Sequence, residues 1–301
     1  MMSYFKILFA GFWLLLLGTT ANKAHAQITP DTTTVYRVET RDGNEYLGTI
    51  IAEDASAIQL KTANLGTIRI LRQDIKTLTA LGANRLVNGS YWFENPQSTR
   101  YLFAPNGYGL KSGEGYYQNV LVLVNQISVG ITNNFSMGAG TIPLFFFGIP
   151  TPVWLLPKFS IPVVKNQLNV GAGALIGTVL GEDALGFGIL YGIITIGSRD
   201  KNLSVGLGYG YAEGDLAETP TVTVSGLLRT GSRGYLLTEN YFIGTPDGRI
   251  GLITAGGRRI IKKVGLDFGL MAPVGSDIDS FLAFPFLGLT VPFGQTQSKL
   301  P

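Results

Sequence analysis

Residues 203–211 read Leu-Ser-Val-Gly-Leu-Gly-Tyr-Gly-Tyr, so every odd position is large and apolar and every even position is serine or glycine. Successive side chains of a β-strand point to opposite faces of its sheet, and this period of two therefore predicts a strand. One face of that strand is bulky and apolar, whereas the other carries very small residues. Small residues on one face are expected inside a narrow barrel or where two backbones approach closely.

The same alternation extends in both directions along the chain, in residues 168–180, 264–274 and 281–293. The strands are about 9 to 14 residues long, enough for a tilted strand to cross a bilayer, whereas soluble strands average about five or six residues. Charged residues are sparse within them. Aromatic residues recur near the predicted strand ends, as in the interfacial girdles of membrane barrels: Tyr191, Tyr209, Tyr211, Tyr235, Tyr241, Phe242 and Phe293. These features favour membrane-spanning strands over a soluble β-sandwich.

The connections between these strands alternate between tight and longer ones. The tight connections lie near residues 132–134, 165–167, 199–202, 232–234 and 262–263, and the others near 110–115, 145–151, 181–183, 213–219, 244–248 and 275–280. Such alternation is expected of a barrel with short periplasmic turns and longer external loops. The sequence thus predicts an all-β fold, a transmembrane antiparallel up-and-down β-barrel of about 12 strands in residues 100–293, because only a closed sheet pairs all its backbone groups in a membrane.

This region is similar to the bacterial outer-membrane β-barrel proteins as a broad class, over roughly residues 98–293. The resemblance rests on the alternating strands and on the terminal segment from Phe284 to Phe293. Members of that class usually end on an aromatic residue that the barrel-assembly machinery recognises, and Phe293 occupies the matching position. The resemblance implies an outer-membrane location, contact with outer-membrane lipids and assembly by that machinery. The sequence departs from it in a C-terminal tail, residues 294–301.

The N-terminus carries the three parts of a secretory signal peptide. Met1 to Lys6 is short and positively charged, residues 7–18 are almost wholly apolar, and Ala24-His25-Ala26 has the small residues that a signal peptidase reads. The apolar run is shorter than the roughly 20 residues that a spanning helix needs. The sequence therefore predicts a signal peptide in residues 1–26, with Ala24 and Ala26 as the cleavage site.

Removal of that segment excludes several function classes. Two of the 23 basic residues leave with it, so the mature chain has 21 basic and 20 acidic residues and gives no case for nucleic-acid binding. The single histidine, His25, also leaves, and the chain has no cysteine. A mature chain without either residue cannot build a Ser-His or Cys-His nucleophile pair or a thiolate or imidazole metal site. We therefore expect no enzyme activity, no metal site and no cofactor.

Residues 27–82 have a different composition and predict a small β domain. Residues 35–40, 45–52, 57–62 and 67–71 are strand-like, and turn signals occur at Asp42-Gly43 and at Asn64-Leu65-Gly66. The segments Arg41-Asp42-Gly43 and Tyr46-Leu47-Gly48 resemble small SH3-like or Sm-like barrels. With seven acidic and six basic residues in positions 31–81, RNA binding is not expected. We predict a periplasmic accessory or oligomerising module that binds a protein partner, followed by a linker in residues 83–99.

Few charged residues of the barrel region fall on the predicted inner face. They are Asp267, which lies between two glycines, together with Arg229, Arg258 and Glu239. They could form a charged constriction that selects solutes, or internal salt bridges that fill a closed lumen. Either arrangement fits roughly a dozen strands, because about eight strands fill with side chains and sixteen leave a channel. The filled lumen is the favoured interpretation.

Two functions remain open at this point. The first is a porin-like role, a narrow channel or transporter for small or apolar solutes. The second is a structural or assembly anchor whose periplasmic domain binds a partner. Ion conductance would favour the first, whereas copurification of a periplasmic protein through residues 31–81 would favour the second.

Overall fold

The computed structural model of the chain describes residues 34–81, 86–87, 90–181, 186–245, 248–275 and 282–294. Two compact units are present, Met1–Leu81 and Gly82–Pro301, here called the N-terminal unit and the barrel unit. The predicted signal peptide, with Ala24 and Ala26, lies outside the described residues, as does most of the predicted tail. Within the described part of the chain, no helix is long and apolar enough to cross a membrane.

The N-terminal unit is a five-stranded antiparallel sheet. Its strands are β1 (Val35–Thr40), β2 (Glu45–Glu53), β3 (Ala57–Thr62), β4 (Gly66–Leu71) and β5 (Ile75–Leu81), in the order β4-β3-β2-β1-β5. A short 3-10 turn joins β4 to β5. Both predicted glycine turns adopt left-handed backbone, at Gly43 and Gly66, which glycine permits without steric cost. Alternate residues of the strands build a small core: Val38, Ile50, Ile58, Leu60 and Ile70. The SH3-like or Sm-like resemblance stays a prediction.

The turn between β2 and β3 is held by one carboxylate, which gives a pH-dependent prediction. Asp54 accepts hydrogen bonds from the backbone N–H groups of Ser56 and Ala57 at 2.7 and 2.8 Å and from the Ser56 hydroxyl at 2.7 Å. These bonds lower the pKa of Asp54 to about 2 from its ordinary value of 3.8. Because the pKa is depressed in the folded state, the contribution of Asp54 is complete above about pH 4 and is lost as the pH falls towards 2.

We therefore expect pepsin to cut the β2–β3 hairpin of the full chain faster at pH 2 than at pH 4, after correction for the enzyme's own pH profile. The Asp54→Ala variant should be cut quickly at both pH values, because its turn lacks the carboxylate. Gln59→Ala, an exposed change on β3, is the matched control and should behave like the native chain. Equal pH dependence in the native and Asp54→Ala chains would contradict this role.

The barrel unit begins with a small ribbon, β6 (Leu86–Val87) paired with β7 (Ser90–Tyr91). The larger sheet comprises β8 (Gly115–Val120), β9 (Val124–Gly130), β10 (Phe135–Thr141), β11 (Thr151–Leu155), β12 (Lys158–Val164), β13 (Leu168–Leu180), β14 (Gly186–Ser198), β15 (Lys201–Ala212), β16 (Asp215–Leu216), β17 (Thr221–Arg229), β18 (Gly234–Thr245), β19 (Gly248–Ile261), β20 (Val264–Gly275) and β21 (Phe284–Phe293). Each strand pairs antiparallel with its neighbours in chain order.

The sheet closes on itself. β11 and β12 are two parts of one interrupted strand, since both pair with β10 and with β13, and the two-residue β16 only extends the β15 hairpin. The last strand pairs with the first, which places Phe293 opposite Gly115. The result is a barrel of twelve strands, so the predicted antiparallel up-and-down barrel of about 12 strands is confirmed. The first barrel strand, β8, begins on the side of the tight turns, and the last, β21, ends on the same side.

The outer face of the barrel is apolar, as the sequence alternation predicts. On β15, Leu203, Val205 and Leu207 are half-exposed, whereas Ser204 between them is buried. The same pattern on the other long strands wraps the barrel in exposed aliphatic side chains, the arrangement of membrane-spanning barrels. The aromatic girdle is only partly as predicted, because Tyr191, Tyr235 and Tyr241 face the lumen instead of the exterior.

The predicted start of the barrel is wrong. The first barrel strand begins at Gly115 and not near residue 100, and the first hairpin turns at Leu121–Leu123 and not at residues 110–115. Residues 93–99 are not an exposed linker either. The physical reason is the same for both errors: residues 93–110 lie inside the barrel, where their backbone pairs with inward side chains instead of a neighbouring strand.

Candidate functional site

The lumen is crossed by residues 93–110, here called the plug. Apart from one isolated bridge between Arg100 and Pro105, the plug has no regular secondary structure. Its buried residues are Phe93, Asn95, Pro96, Gln97, Thr99, Arg100, Tyr101, Leu102, Ala104, Asn106, Gly107, Tyr108 and Leu110. Buried backbone groups that lack a strand partner must bond to side chains or water, and here barrel side chains supply the bonds.

One buried ion pair fastens the first part of the plug. Arg258 on β19 and Asp267 on β20 are paired in the sheet register, and the Arg258 Nε atom lies 2.6 Å from Asp267 Oδ1. Both side chains are fully buried. Nη2 also donates to Asp267 Oδ2 at 3.0 Å. The guanidinium reaches the plug as well: Nη1 donates to Asn95 Oδ1 at 2.8 Å, and Nη2 donates to Gln97 Oε1 at 2.8 Å and to the Tyr101 carbonyl at 2.6 Å. Arg258 thus joins the wall to three plug residues.

A second inward carboxylate fastens the middle of the plug. The Oε2 atom of Glu239 accepts hydrogen bonds from three successive backbone N–H groups, those of Leu102, Phe103 and Ala104, at 2.8, 2.9 and 2.9 Å. Its other oxygen accepts a hydrogen bond from the Tyr241 hydroxyl at 2.8 Å. Successive backbone N–H groups form a concave anion site, so a single carboxylate satisfies three donors that have no strand partner.

Arg229 holds the beginning of the plug near the rim that carries the tight turns, here called the lower rim. Its guanidinium donates to Asp200 Oδ2 at 3.0 Å, to the Phe93 carbonyl at 2.7 Å and to the Tyr235 hydroxyl at 2.6 Å. The structure therefore places all four predicted lumen residues, Asp267, Arg229, Arg258 and Glu239, on the inner face. Their arrangement is a filled network and not an open charged ring.

Sequence reasoning missed three further plug contacts. Lys158 on β12 donates from Nζ to the Tyr108 carbonyl at 2.6 Å, and Arg199 donates to the Gly109 carbonyl at 2.7 Å. Thr195 on β14 accepts from the Gly107 N–H at 2.7 Å. Lys158 carries a detectable signal, since it is a charged residue beside the outward Phe159, but Pro157 interrupts the alternation that would reveal its face.

The small residues of the inner face make room for the plug. A Cβ atom on Gly265 of β20 would lie 2.7 Å from the ring of Pro96. Conversely, a Cβ atom on Gly107 of the plug would lie 2.6 Å from the carbonyl oxygen of Asn169 on β13. Both approaches are closer than side-chain atoms tolerate, so glycine permits contact between the plug and the wall.

Above the plug, towards the opposite or upper rim, the inner face is apolar. The strand registers point a ring of apolar side chains inward here: Val120, Trp154, Leu156, Leu175, Ile189, Ile243, Leu252, Phe284 and Phe286. A cavity of about 100 Å³ lies between this ring and the plug, against Arg100, Phe103, Tyr191 and Tyr241. The lumen thus has a polar, filled lower half and an apolar upper half, here called the upper chamber.

The barrel wall is shorter on the side of the upper chamber formed by β8 and β9, and this part is here called the low wall. β8 and β9 have six and seven residues, whereas β13 and β14 have 13 each. At about 3.3 Å per residue, β8 and β9 are roughly 20 Å shorter than β13 and β14 along the strand direction. Beyond the pair Val120–Gly288, β21 continues as a strand that pairs only with β20 among the described residues.

The residues around this low wall are apolar and exposed. The turn Leu121-Val122-Leu123 forms its edge, and the side chain of Val122 is 79% exposed. The neighbouring connection, residues 142–150, contains a 3-10 turn in which Phe145, Phe146 and Phe147 are all exposed. A groove of about 700 Å³ on the outer face of β9–β11 lies beside them. Two adjacent apolar loops are expected at a membrane surface and not in water.

Comparison with known proteins identifies no relative by sequence. No protein family matches the chain, and no curated protein matches it. Solved structures with similar architecture include a doubly substituted variant of OccD1 (OprD), with a TM-score of 0.36, 7% identity and coverage of 86% of this chain and 93% of that chain. OprD of Pseudomonas aeruginosa has a TM-score of 0.36 and 8% identity, with coverage of 86% of this chain and 93% of that chain. OmpT of Vibrio cholerae has a TM-score of 0.32 and 12% identity, with coverage of 86% of this chain and 94% of that chain. Values of this size establish neither a family nor a function.

Proposed function

We propose that the protein is an outer-membrane barrel that admits small apolar solutes to the upper chamber while the plug closes the lower lumen. The observation that carries this proposal is the division of the inner face into a polar, filled lower half and an apolar upper half. A hydrophilic solute would have to displace the buried plug network. An apolar solute gains about 0.8 kcal/mol for each methylene group that it buries in the chamber.

The exterior supports the membrane location. Apart from the upper end of β21 at the low wall, the closed barrel leaves no unpaired sheet edge among the described residues, and the belt of exposed aliphatic side chains suits hydrocarbon and not water. Both ends of the barrel lie at the lower rim with the tight turns, so this rim faces the periplasm in the proposed orientation. The N-terminal unit precedes the barrel and is assigned to the periplasm by the same argument. Phe293 at the closure remains the proposed signal for the barrel-assembly machinery.

The test combines conductance with solute binding. In planar lipid bilayers the native chain should show no steady ion conductance, because the plug is seated. In nanodiscs it should bind the neutral apolar dye N-phenylnaphthylamine saturably. Leu252→Asn, within the chamber, should weaken dye binding about tenfold through lost apolar contact and an added polar group. Leu216→Asn, an equivalent change at an exposed loop position, is the control. A steady open conductance, or dye binding that never saturates, would overturn the proposal.

The low wall gives a route between the chamber and the membrane. Solutes dissolved in the lipid would pass over the edge formed by Leu121, Val122 and Leu123. Changing all three to serine should slow transfer of dye from vesicle lipid about tenfold, since three hydroxyl groups raise the barrier by roughly 1–2 kcal/mol. Equilibrium binding should stay as in the native chain. Transfer at the native rate would show that solutes take another path.

A structural role for the N-terminal unit is a second proposal. Its sheet ends on β4 and β5, and an edge strand can accept a strand from a partner. Arg69 on β4 is exposed; its guanidinium lies 3.7 Å from Asp54 Oδ2 and donates a long hydrogen bond of 3.4 Å to the Ser56 hydroxyl. If β4 binds a periplasmic protein, Arg69→Glu should reduce its copurification with the full chain without changing dye binding. Unchanged copurification would rule out this edge as the contact.

A further inference from the structure

The plug brings one cation to the floor of the upper chamber without a countercharge. Among the described lumen residues, Arg258 is paired with Asp267 and Arg229 with Asp200, Glu239 accepts hydrogen bonds from three plug N–H groups, and Lys158 on the wall donates to two plug carbonyls. Arg100 has no carboxylate within ion-pair distance among the residues that the structure describes. It is nevertheless only 6% exposed. A buried charge without a partner is costly and is usually retained for a ligand or a function.

The hydrogen bonds of Arg100 leave part of its guanidinium free. Nε donates to the Tyr116 hydroxyl at 2.8 Å, and Nη1 donates to the Phe103 carbonyl at 2.9 Å. These bonds fix the plane of the group. No bond from Nη2 to another described residue is present, and Nη1 retains a second hydrogen. Two parallel N–H groups on one guanidinium match the two oxygens of a carboxylate.

The cavity above Arg100 has the composition of a head-group site. Its polar lining residues are Arg100, Tyr191, Thr221, Thr223 and Tyr241, of which Tyr241 already donates its hydroxyl hydrogen to Glu239. The rest of its lining is largely apolar and continues into the upper chamber. Its volume of about 100 Å³ is enough for a small anionic group. The Nζ atom of Lys158 is engaged by the plug carbonyls of Thr99 and Tyr108.

We propose that the upper chamber binds long-chain carboxylates, with the carboxylate on Arg100 and the aliphatic tail against the apolar ring. This inference rests on the proposed function, because it names the class of solute that the chamber accepts. The plug then has two roles: it closes the lower lumen and supplies the guanidinium that binds the carboxylate. A carboxylate delivered there neutralises Arg100, and the apolar wall buries its methylene groups.

The test compares dodecanoate with dodecanol, which have equal chains and differ only in the head group. Each displaces N-phenylnaphthylamine from the full chain in nanodiscs of neutral phospholipid at pH 8. Dodecanoate should bind the native chain at least tenfold more tightly than dodecanol. Arg100→Gln should weaken dodecanoate binding until it equals dodecanol binding, whereas Arg100→Lys should keep part of the difference. Arg259→Gln, the same change on the exposed face of β19, is the matched control.

The outcomes separate this inference from the proposed function. Equal binding of dodecanoate and dodecanol by the native chain would overturn the head-group site while leaving apolar binding intact. Binding of neither compound would overturn both proposals. Discrimination that survives in Arg100→Gln would show that another group reads the carboxylate. If Arg100→Gln shows no steady ion conductance in planar bilayers, its plug still closes the lower lumen. Dodecyl phosphate, with a larger head, should bind more weakly, and tighter binding would identify a phosphate site instead.

Discussion

Replacing Arg258 with leucine is expected to lower the free energy of unfolding of the barrel by about 3–5 kcal/mol, because Asp267 becomes an unpaired buried charge. The same substitution is expected to open the lumen to ions. Arg258 bonds to Asn95, Gln97 and Tyr101 as well as to Asp267, so the plug loses its main attachment together with the ion pair. The loss of stability is measured as the urea midpoint of the folded band on unboiled gels, and the opening as conductance in planar bilayers.

Two further variants separate the ion pair from the attachment of the plug. Changing Arg258 and Asp267 together to leucine removes both charges, so most of the stability should return. Conductance should remain high in this double variant, because the hydrogen bonds to the plug are still missing. Arg259→Leu, on the outer face of the same strand, should change neither measurement. A closed and fully stable Arg258→Leu barrel would mean that the plug is held mainly by its other contacts.

The sequence predicted the faces of the long strands well because one local rule determines them. Alternation in residues 203–211 places Ser204 inside and Leu203 outside, and the structure agrees. The same rule identified Asp267 as inward from its two flanking glycines. Tyr191 and Tyr241 were assigned to an exterior girdle because they lie near strand ends. That position determines where a residue lies along the barrel axis, but not whether its side chain points inward or outward. Their phase with inward neighbours such as Ile193 and Glu239 would have placed them in the lumen.

The plug could not be predicted in this way. Its backbone bonds to residues far along the chain, as when Leu102 bonds to Glu239, and no periodicity marks such a pair. Residues 103–110 include one proline and two glycines, which are typical of turns, yet they precede the connection predicted near residues 110–115 and were therefore assigned to the barrel. The sequence did not indicate which residues occupy the space beside the small residues of the inner face. Glycine at 265 leaves a space, and only the structure shows that Pro96 occupies it.

The first hairpin illustrates a second limit. Its turn, Leu121-Val122-Leu123, contains none of the glycine, proline, asparagine or aspartate residues that usually mark turns. Leu121 and Val122 nevertheless adopt positive φ values of 51° and 67°. β-Branched residues rarely do so. The turn-like segment at residues 110–115 attracted the prediction instead. An apolar turn of this kind is consistent with the proposed contact with lipid or solute, where a polar turn sequence would be disfavoured.

Replacing Glu239 with leucine is expected to release the middle of the plug while leaving the barrel wall nearly as stable as before. The change leaves three backbone N–H groups without a hydrogen-bond acceptor, those of Leu102, Phe103 and Ala104. Each unsatisfied donor costs about 1–3 kcal/mol unless it moves to water. The plug can reach water by moving towards the upper chamber, so we expect it to leave its seat. Glu239→Gln keeps an acceptor oxygen and should cost only about 1–2 kcal/mol.

Hydrogen exchange distinguishes this effect from that of Arg258. In Glu239→Leu the amides of residues 102–104 should exchange at least about 100-fold faster, which corresponds to a loss of roughly 3 kcal/mol, while strand amides keep the native rate. In Arg258→Leu both sets should exchange faster, because a buried charge destabilises the wall as well. Glu213→Leu, the same change in an exposed upper loop, should alter neither set. If the amides of 102–104 stay slow in Glu239→Leu, the carboxylate is not what holds the plug, and its other contacts, such as those with Arg258 and Lys158, must be sufficient.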